Sequence, residues 1–153
     1  RPGGLLLLST FGHDTLHELR ESFAQADEAP HVSPFVTIAD LGDALMHAGF
    51  RDPVLDREVL VRGYDDVPAL MRELRALGAT NALAGRRRTL TGRARFARAA
   101  EAYDALRGGD GKLPASWEVI TAITWAPAPG APIRMGGEEV ISFPANRIPV
   151  RKR

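Results

Sequence analysis

Cysteine is absent from this 153-residue chain, which excludes disulfides, thiolate metal sites and thiol nucleophiles. That leaves the redox compartment undecided while fitting a cytoplasmic protein, and a cytoplasmic location is expected. Long hydrophobic runs are missing too. The longest aliphatic stretch is the four leucines at 5–8, against the roughly 20 apolar residues a membrane helix needs. It also lacks the flanks of a signal peptide, so no membrane partner is expected. Aromatic residues are only 7% of the chain, and none interleaves the arginines of residues 86–95, so a stacking surface for single-stranded nucleic acid is poorly supplied. His13 and His17 stand four apart, but Asp14 occupies the place where the zinc-protease helix carries Glu and no third ligand is evident; no metal is expected. The segment GGDGK at 108–112 lacks both the earlier glycine and the following Ser or Thr of a phosphate loop. It reads as a turn between a helix and a strand.

What is present is ordinary globular material, 44% hydrophobic and 25% charged, enough for one sizeable core. The net charge of +1 conceals an asymmetry. Residues 86–107 hold seven arginines against Glu101 and Asp104, a local +5, which leaves −4 for the remainder. A locally basic surface is expected there.

The apolar run at 4–10, bounded by glycines, predicts a strand buried on both faces of a parallel sheet. Asp14 or Thr15 then caps a helix whose Leu16, Leu19 and Phe23 share a face and which ends before Pro30. A second helix starting near Ala39 runs to Gly49. β-branched residues between Val54 and Tyr64 predict another strand. Asp65 or Asp66 caps a helix with Pro68 in its first turn and Leu70, Leu74 and Leu77 on its buried face. Residues 79–92 read as a loop and 93–107 as a helix presenting Phe96, Ala99, Ala100 and Tyr103 inward. A last strand runs from Trp117 to Trp125, and the proline-rich residues 127–153 form a loosely attached extension with little to offer a sheet. The fold class is α/β. Three strands cover such helices incompletely, and an aliphatic opening strand left at a sheet edge is usually avoided, so a missing amino-terminal portion is expected.

Several segments carry a more specific likeness. STFGHDTLHELR at 9–20, HVSPF at 31–35, LRALGATN at 74–81, Gly85-Arg86, LTGR at 90–93, Tyr103 and LPASWEVI at 113–120 resemble, in order and spacing, the distal half of the malonyl-acyl-carrier-protein O-methyltransferases of biotin synthesis. The resemblance covers about residues 4–126. It implies the carboxyl-terminal part of a class I Rossmann-like methyltransferase fold: strands five to seven, the seventh inserted antiparallel between the other two, with a helical insert at about 65–112. The glycine-rich turn and acidic ribose-binding residue of that family are not found in this sequence, so no residue here inherits a cofactor-binding role. S-adenosylmethionine would be the cofactor of the parent protein, held by the missing amino-terminal half.

The chemistry implied is methyl transfer to the free carboxylate of malonyl-acyl-carrier protein. A carboxylate is already a nucleophile, so positioning and exclusion of water suffice and no catalytic residue is called for. The resemblance places His31 and Phe35 in an acceptor-pocket wall. Arg86 and Arg93, which stand in motif positions, are assigned to the substrate's anionic groups, because the planar guanidinium grips carboxylate or phosphate bidentately. Arg87, Arg88, Arg95 and Arg98 are assigned to docking of the acidic carrier. By this reading the chain supplies acceptor recognition and is inactive alone. Two alternatives stand beside it: a non-catalytic basic module for an acidic protein or RNA, and a methyltransferase half with a different small carboxylate acceptor.

Overall fold

A computed structural model describes residues 1–26, 28–86, 92–128, 130–135 and 138–140. Its elements, in chain order, are β1 (Leu5–Phe11), α1 (His17–Ala24), α2 (Ile38–His47), β2 (Arg51–Tyr64), α3 (Val67–Ala76), α4 (Arg93–Asp104), β3 (Leu113–Trp125), β4 (Ile133–Met135) and β5 (Glu138–Val140). The first three strands form a sheet in the order β1-β3-β2. The Gly3 amide donates to the Ala126 carbonyl at 3.0 Å and the Gly12 amide to the Glu118 carbonyl at 2.9 Å, so β3 runs antiparallel to β1. This is the strand order expected of the fifth, seventh and sixth strands, with the latest in sequence placed centrally.

The chain divides into two compact units. The first comprises residues 1–10, 37–57 and the described part of 120–140. Buried within it are Leu45 of α2 and Ile120, Ala122 and Thr124 of β3. α2 starts one residue earlier than the apolar spacing indicates because Thr37 caps it: its hydroxyl accepts the Asp40 amide at 3.1 Å and donates to the Asp40 carboxylate at 2.7 Å. Such a reciprocal pair satisfies amides that the first helical turn leaves without partners. The Thr124 hydroxyl ties β3 to the Arg51 carbonyl at 2.7 Å.

Two expectations for this unit are corrected. β1 is not covered on both faces: Leu5 and Leu7 are 59% and 65% exposed, and exposure alternates along the strand. Its only sheet neighbour among the described residues is β3, so one leucine face has nothing to pack against. The residues after Ala126 do form sheet, since β4 and β5 pair antiparallel, with Pro132 placed before the strand rather than inside it. β4 packs against α2.

The second unit, residues 11–36 and 58–119, holds the larger core. Leu19 and Phe23 of α1, Leu70 and Leu74 of α3, and Ala99 and Tyr103 of α4 are buried together. α3 begins as the sequence predicts, with the Asp66 carboxylate accepting the Ala69 amide at 2.6 Å and Pro68 in the first turn. Leu77 does not share its buried face but is 63% exposed, because the helix ends at Ala76 and Gly78, at φ 72°, turns the chain away. β3 starts at Leu113, four residues earlier than the aromatic pattern suggests. The Tyr103 hydroxyl fixes that early segment by donating to the Pro114 carbonyl at 2.6 Å.

Candidate functional site

The link from β1 to α1 is built differently from the capped start its sequence suggests. The residue before the helix is Leu16, at φ 54°, a backbone region costly for a branched side chain. Thr15 cannot cap because its hydroxyl is spent on β3, donating to the Glu118 carbonyl at 3.0 Å and accepting the Glu118 amide at 3.1 Å. The Leu16 amide then reaches the Ser116 carbonyl at 2.7 Å. Glu18, nearly buried, accepts the Ser116 hydroxyl at 2.6 Å and the Ser116 amide at 3.1 Å. A buried carboxylate persists only with such partners. Together these bonds lock the first turn of α1 onto β3 and set the direction in which the rest of the helix projects.

That direction matters because α1, α3, α4 and the loops after α1 and α3 enclose a cleft of about 630 Å³. Its floor is apolar, formed by Leu19 and Phe23 from α1, Met71 and Leu74 from α3 and Phe96 from α4. Phe96 meets Phe23 edge-on at 6.4 Å. The His31 ring stacks on Phe23 at 4.2 Å and forms part of the wall. The opposite rim carries Arg72 and Arg75 of α3, then Thr80 and Asn81. Asn81 holds the two loops together: its amide donates to the Pro30 carbonyl at 2.7 Å, and its oxygen accepts the Leu83 amide at 3.0 Å. No carboxylate lines the cleft among the described residues.

Of the residues singled out from the sequence, His31 lies in this wall. Phe35 is half-buried against the core and meets Phe11 edge-on at 6.0 Å. Arg86 folds back on its own loop, donating to the Leu83 carbonyl at 2.9 Å. Arg93 is exposed at the first position of α4, and Arg95 is half-buried on the same helix. Arg98 donates to the Ala26 carbonyl at 3.1 Å. None of these four arginines lines the cleft among the described residues; Arg87 and Arg88 lie outside the described residues. Sequence reasoning passed over Arg72 and Arg75. Their signal was a three-residue spacing beside the apolar positions of a helix bounded by Asp66 and Gly78, which places both on one edge of that face.

No protein-family model matches the chain. Over its whole length, however, it is similar to proteins of one methyltransferase class, as the sheet order and the quoted motifs imply. The malonyl-[acyl-carrier protein] O-methyltransferase of Xylella fastidiosa (strain M23) is 59% identical over 153 residues, all of this chain and 52% of that protein. The protein of the same name from Laribacter hongkongensis is 49% identical over 144 residues, 94% of this chain and 48% of its own length. Malonyl-[acyl-carrier protein] O-methyltransferase 1 of Coxiella burnetii is 41% identical over 148 residues, 97% and 51% respectively. The chain spans about half the length of the curated relatives it matches.

A methyltransferase of this class implies S-adenosylmethionine. The glycine-bearing turn after β1 does not offer it a cradle, because a Cβ built on Gly12 falls 2.3 Å from the Glu118 carboxyl carbon. On that side the Gly12 backbone is covered by the Glu118 side chain. No helix among the described residues is long and apolar enough to cross a membrane.

Proposed function

We propose that these residues form the acceptor-recognition part of an S-adenosylmethionine-dependent methyltransferase that esterifies the free carboxylate of malonyl-acyl-carrier protein in biotin synthesis. The observation that carries the reading is the cleft beside His31, an apolar trough with a cationic rim and, among the described residues, no carboxylate, within a chain 59% identical along its whole length to a protein of that name. Such a trough suits a short acyl thioester, whose apolar stem loses water while its charged end keeps a partner. The cofactor supplies the methyl group, and its binding residues are assigned outside this chain, in keeping with the filled turn at Gly12. What these residues contribute is position: they hold the acceptor and exclude water, and the carboxylate needs no base. The exposed Arg93 and Arg98 of α4 suit the approach of an acidic carrier.

The test is transfer of labelled methyl from S-adenosylmethionine to malonyl-acyl-carrier protein by the whole protein. Replacing His31 with Ala raises KM for the carrier substrate about tenfold, a loss on the order of 1.4 kcal/mol, and leaves affinity for the cofactor unchanged. No methylation of malonyl-acyl-carrier protein, with turnover of a free carboxylic acid instead, overturns the acceptor assignment. Tight binding of S-adenosylmethionine by residues 1–153 alone overturns the placement of the cofactor site.

A further inference from the structure

We infer that Arg72 and Arg75, rather than the arginines of α4, form the anion-binding end of the cleft, and that its ligand is an acyl chain with one terminal anionic group. The inference deepens the acceptor assignment above and rests on it for the identity of the ligand, though not for the class.

Three observations converge. Both guanidinium-bearing residues line the cleft, whereas none of the described arginines of residues 86–98 does. Neither side chain has a hydrogen bond or ion pair to another described residue, while the side chains of other arginines of the same unit are engaged: Arg62 by Glu73, Arg107 by Asp104, Arg98 by the Ala26 carbonyl and Arg86 by the Leu83 carbonyl. The carboxylate placed between them in sequence, Glu73, is turned to Arg62 and neutralises that side chain instead. A pair of cations three residues apart on one helix edge, beside an apolar floor and without a carboxylate among the described lining residues, repels cationic ligands and leaves two guanidinium forks for one anion. The cleft is pre-set by the fold, since Asn81 pins the loop after α3 to the Pro30 carbonyl and so ties together the two loops that contribute to its lining. A ligand lying over Phe23, Met71 and Phe96 therefore reaches the arginines with its charged end only.

Two sources share this chemistry: the free carboxylate of the acyl group, and the phosphate of the carrier's prosthetic arm. The experiment uses the whole protein and its R72Q/R75Q variant, which keeps long polar side chains at two exposed positions, with unfolding temperature as the check on folding. Methyl transfer is measured to malonyl-acyl-carrier protein and to malonyl-N-acetylcysteamine, which has the carboxylate but no phosphate. A rise in KM of about tenfold or more on both substrates, with kcat retained, supports the site and assigns it to the carboxylate. The same rise confined to the carrier substrate supports the site and assigns it to the phosphate. An unchanged KM on both overturns the inference. Should the wild-type protein methylate neither substrate, the acceptor assignment fails while the site is still tested by direct binding. In that arm hexanoate shifts the Thr80 and Asn81 amide resonances of the wild-type protein, hexanamide shifts them at least tenfold more weakly, and R72Q/R75Q abolishes the difference; equal binding of both probes overturns the inference.

Discussion

β1 and β3 are both apolar strands, yet they live in opposite environments. In β3, Ala115, Ile120, Ala122 and Thr124 are wholly buried; in β1, which reads as the more hydrophobic of the two, Leu5 and Leu7 stand largely in solvent. The difference lies in neighbours and not in side-chain chemistry. Among the described residues β3 has a strand on each side and β1 on one. A strand's place in the sheet, not its hydropathy, decides how much of its apolar surface leaves water, and each square ångström buried contributes roughly 25 cal/mol.

The comparison is broken or sharpened by substitution. Ile120→Ala, at a side chain with no exposed surface, destabilises the fold by about 3 kcal/mol, whereas Leu7→Ala changes stability by no more than about 0.5 kcal/mol. Chemical denaturation of both variants measures this, and equal losses would dissolve the distinction between the strands. Gly12→Ala sits where β1 hands over to α1, and its methyl meets the Glu118 carboxylate at a distance no structure tolerates. A loss of about 2 kcal/mol is expected, read from the urea midpoint, with relief in a Gly12→Ala/Glu118→Ala double variant. The smallest effect concerns the early end of β3. Tyr103→Phe removes the bond to the Pro114 carbonyl at a cost of about 1 kcal/mol near neutral pH. Burial first, then the neighbouring Glu18 charge, hold the Tyr103 phenol above its ordinary value of 10.0. The folded state thus retains a proton that the unfolded chain releases, so this contribution is complete below pH 10.0 and fades as pH rises further. The stability difference between wild type and Tyr103→Phe should accordingly narrow above that pH; a constant difference would show that the phenol titrates alike in both states.

Much of this fold was legible in the sequence. α3 follows from the Asp66 cap, Pro68 and the leucine spacing, because the signals are local and agree. The strand order followed only from the family likeness, since pairing of β1 with β3 joins residues more than a hundred positions apart, and no local pattern encodes it. The burial of β1 was misread for the same reason: four leucines look alike whether one face or two are covered. The left-handed Leu16 left no trace either, as it is imposed by Thr15 and Ser116 through tertiary bonds. His31 was selected through its motif and lies in the cleft wall. Arg72 and Arg75 become notable only once the loop bearing Asn81 closes onto residue 30, which turns an ordinary helix surface into a rim.

α3 thereby carries two independent vocabularies in ten residues. Val67 and Leu70 belong to the core alone, while the exposed side chains at positions 72 and 75 line the cleft and take no part in the core. Changes at the second set leave the first untouched, so drift or deliberate redesign of ligand preference can proceed there codon by codon without placing the fold at risk.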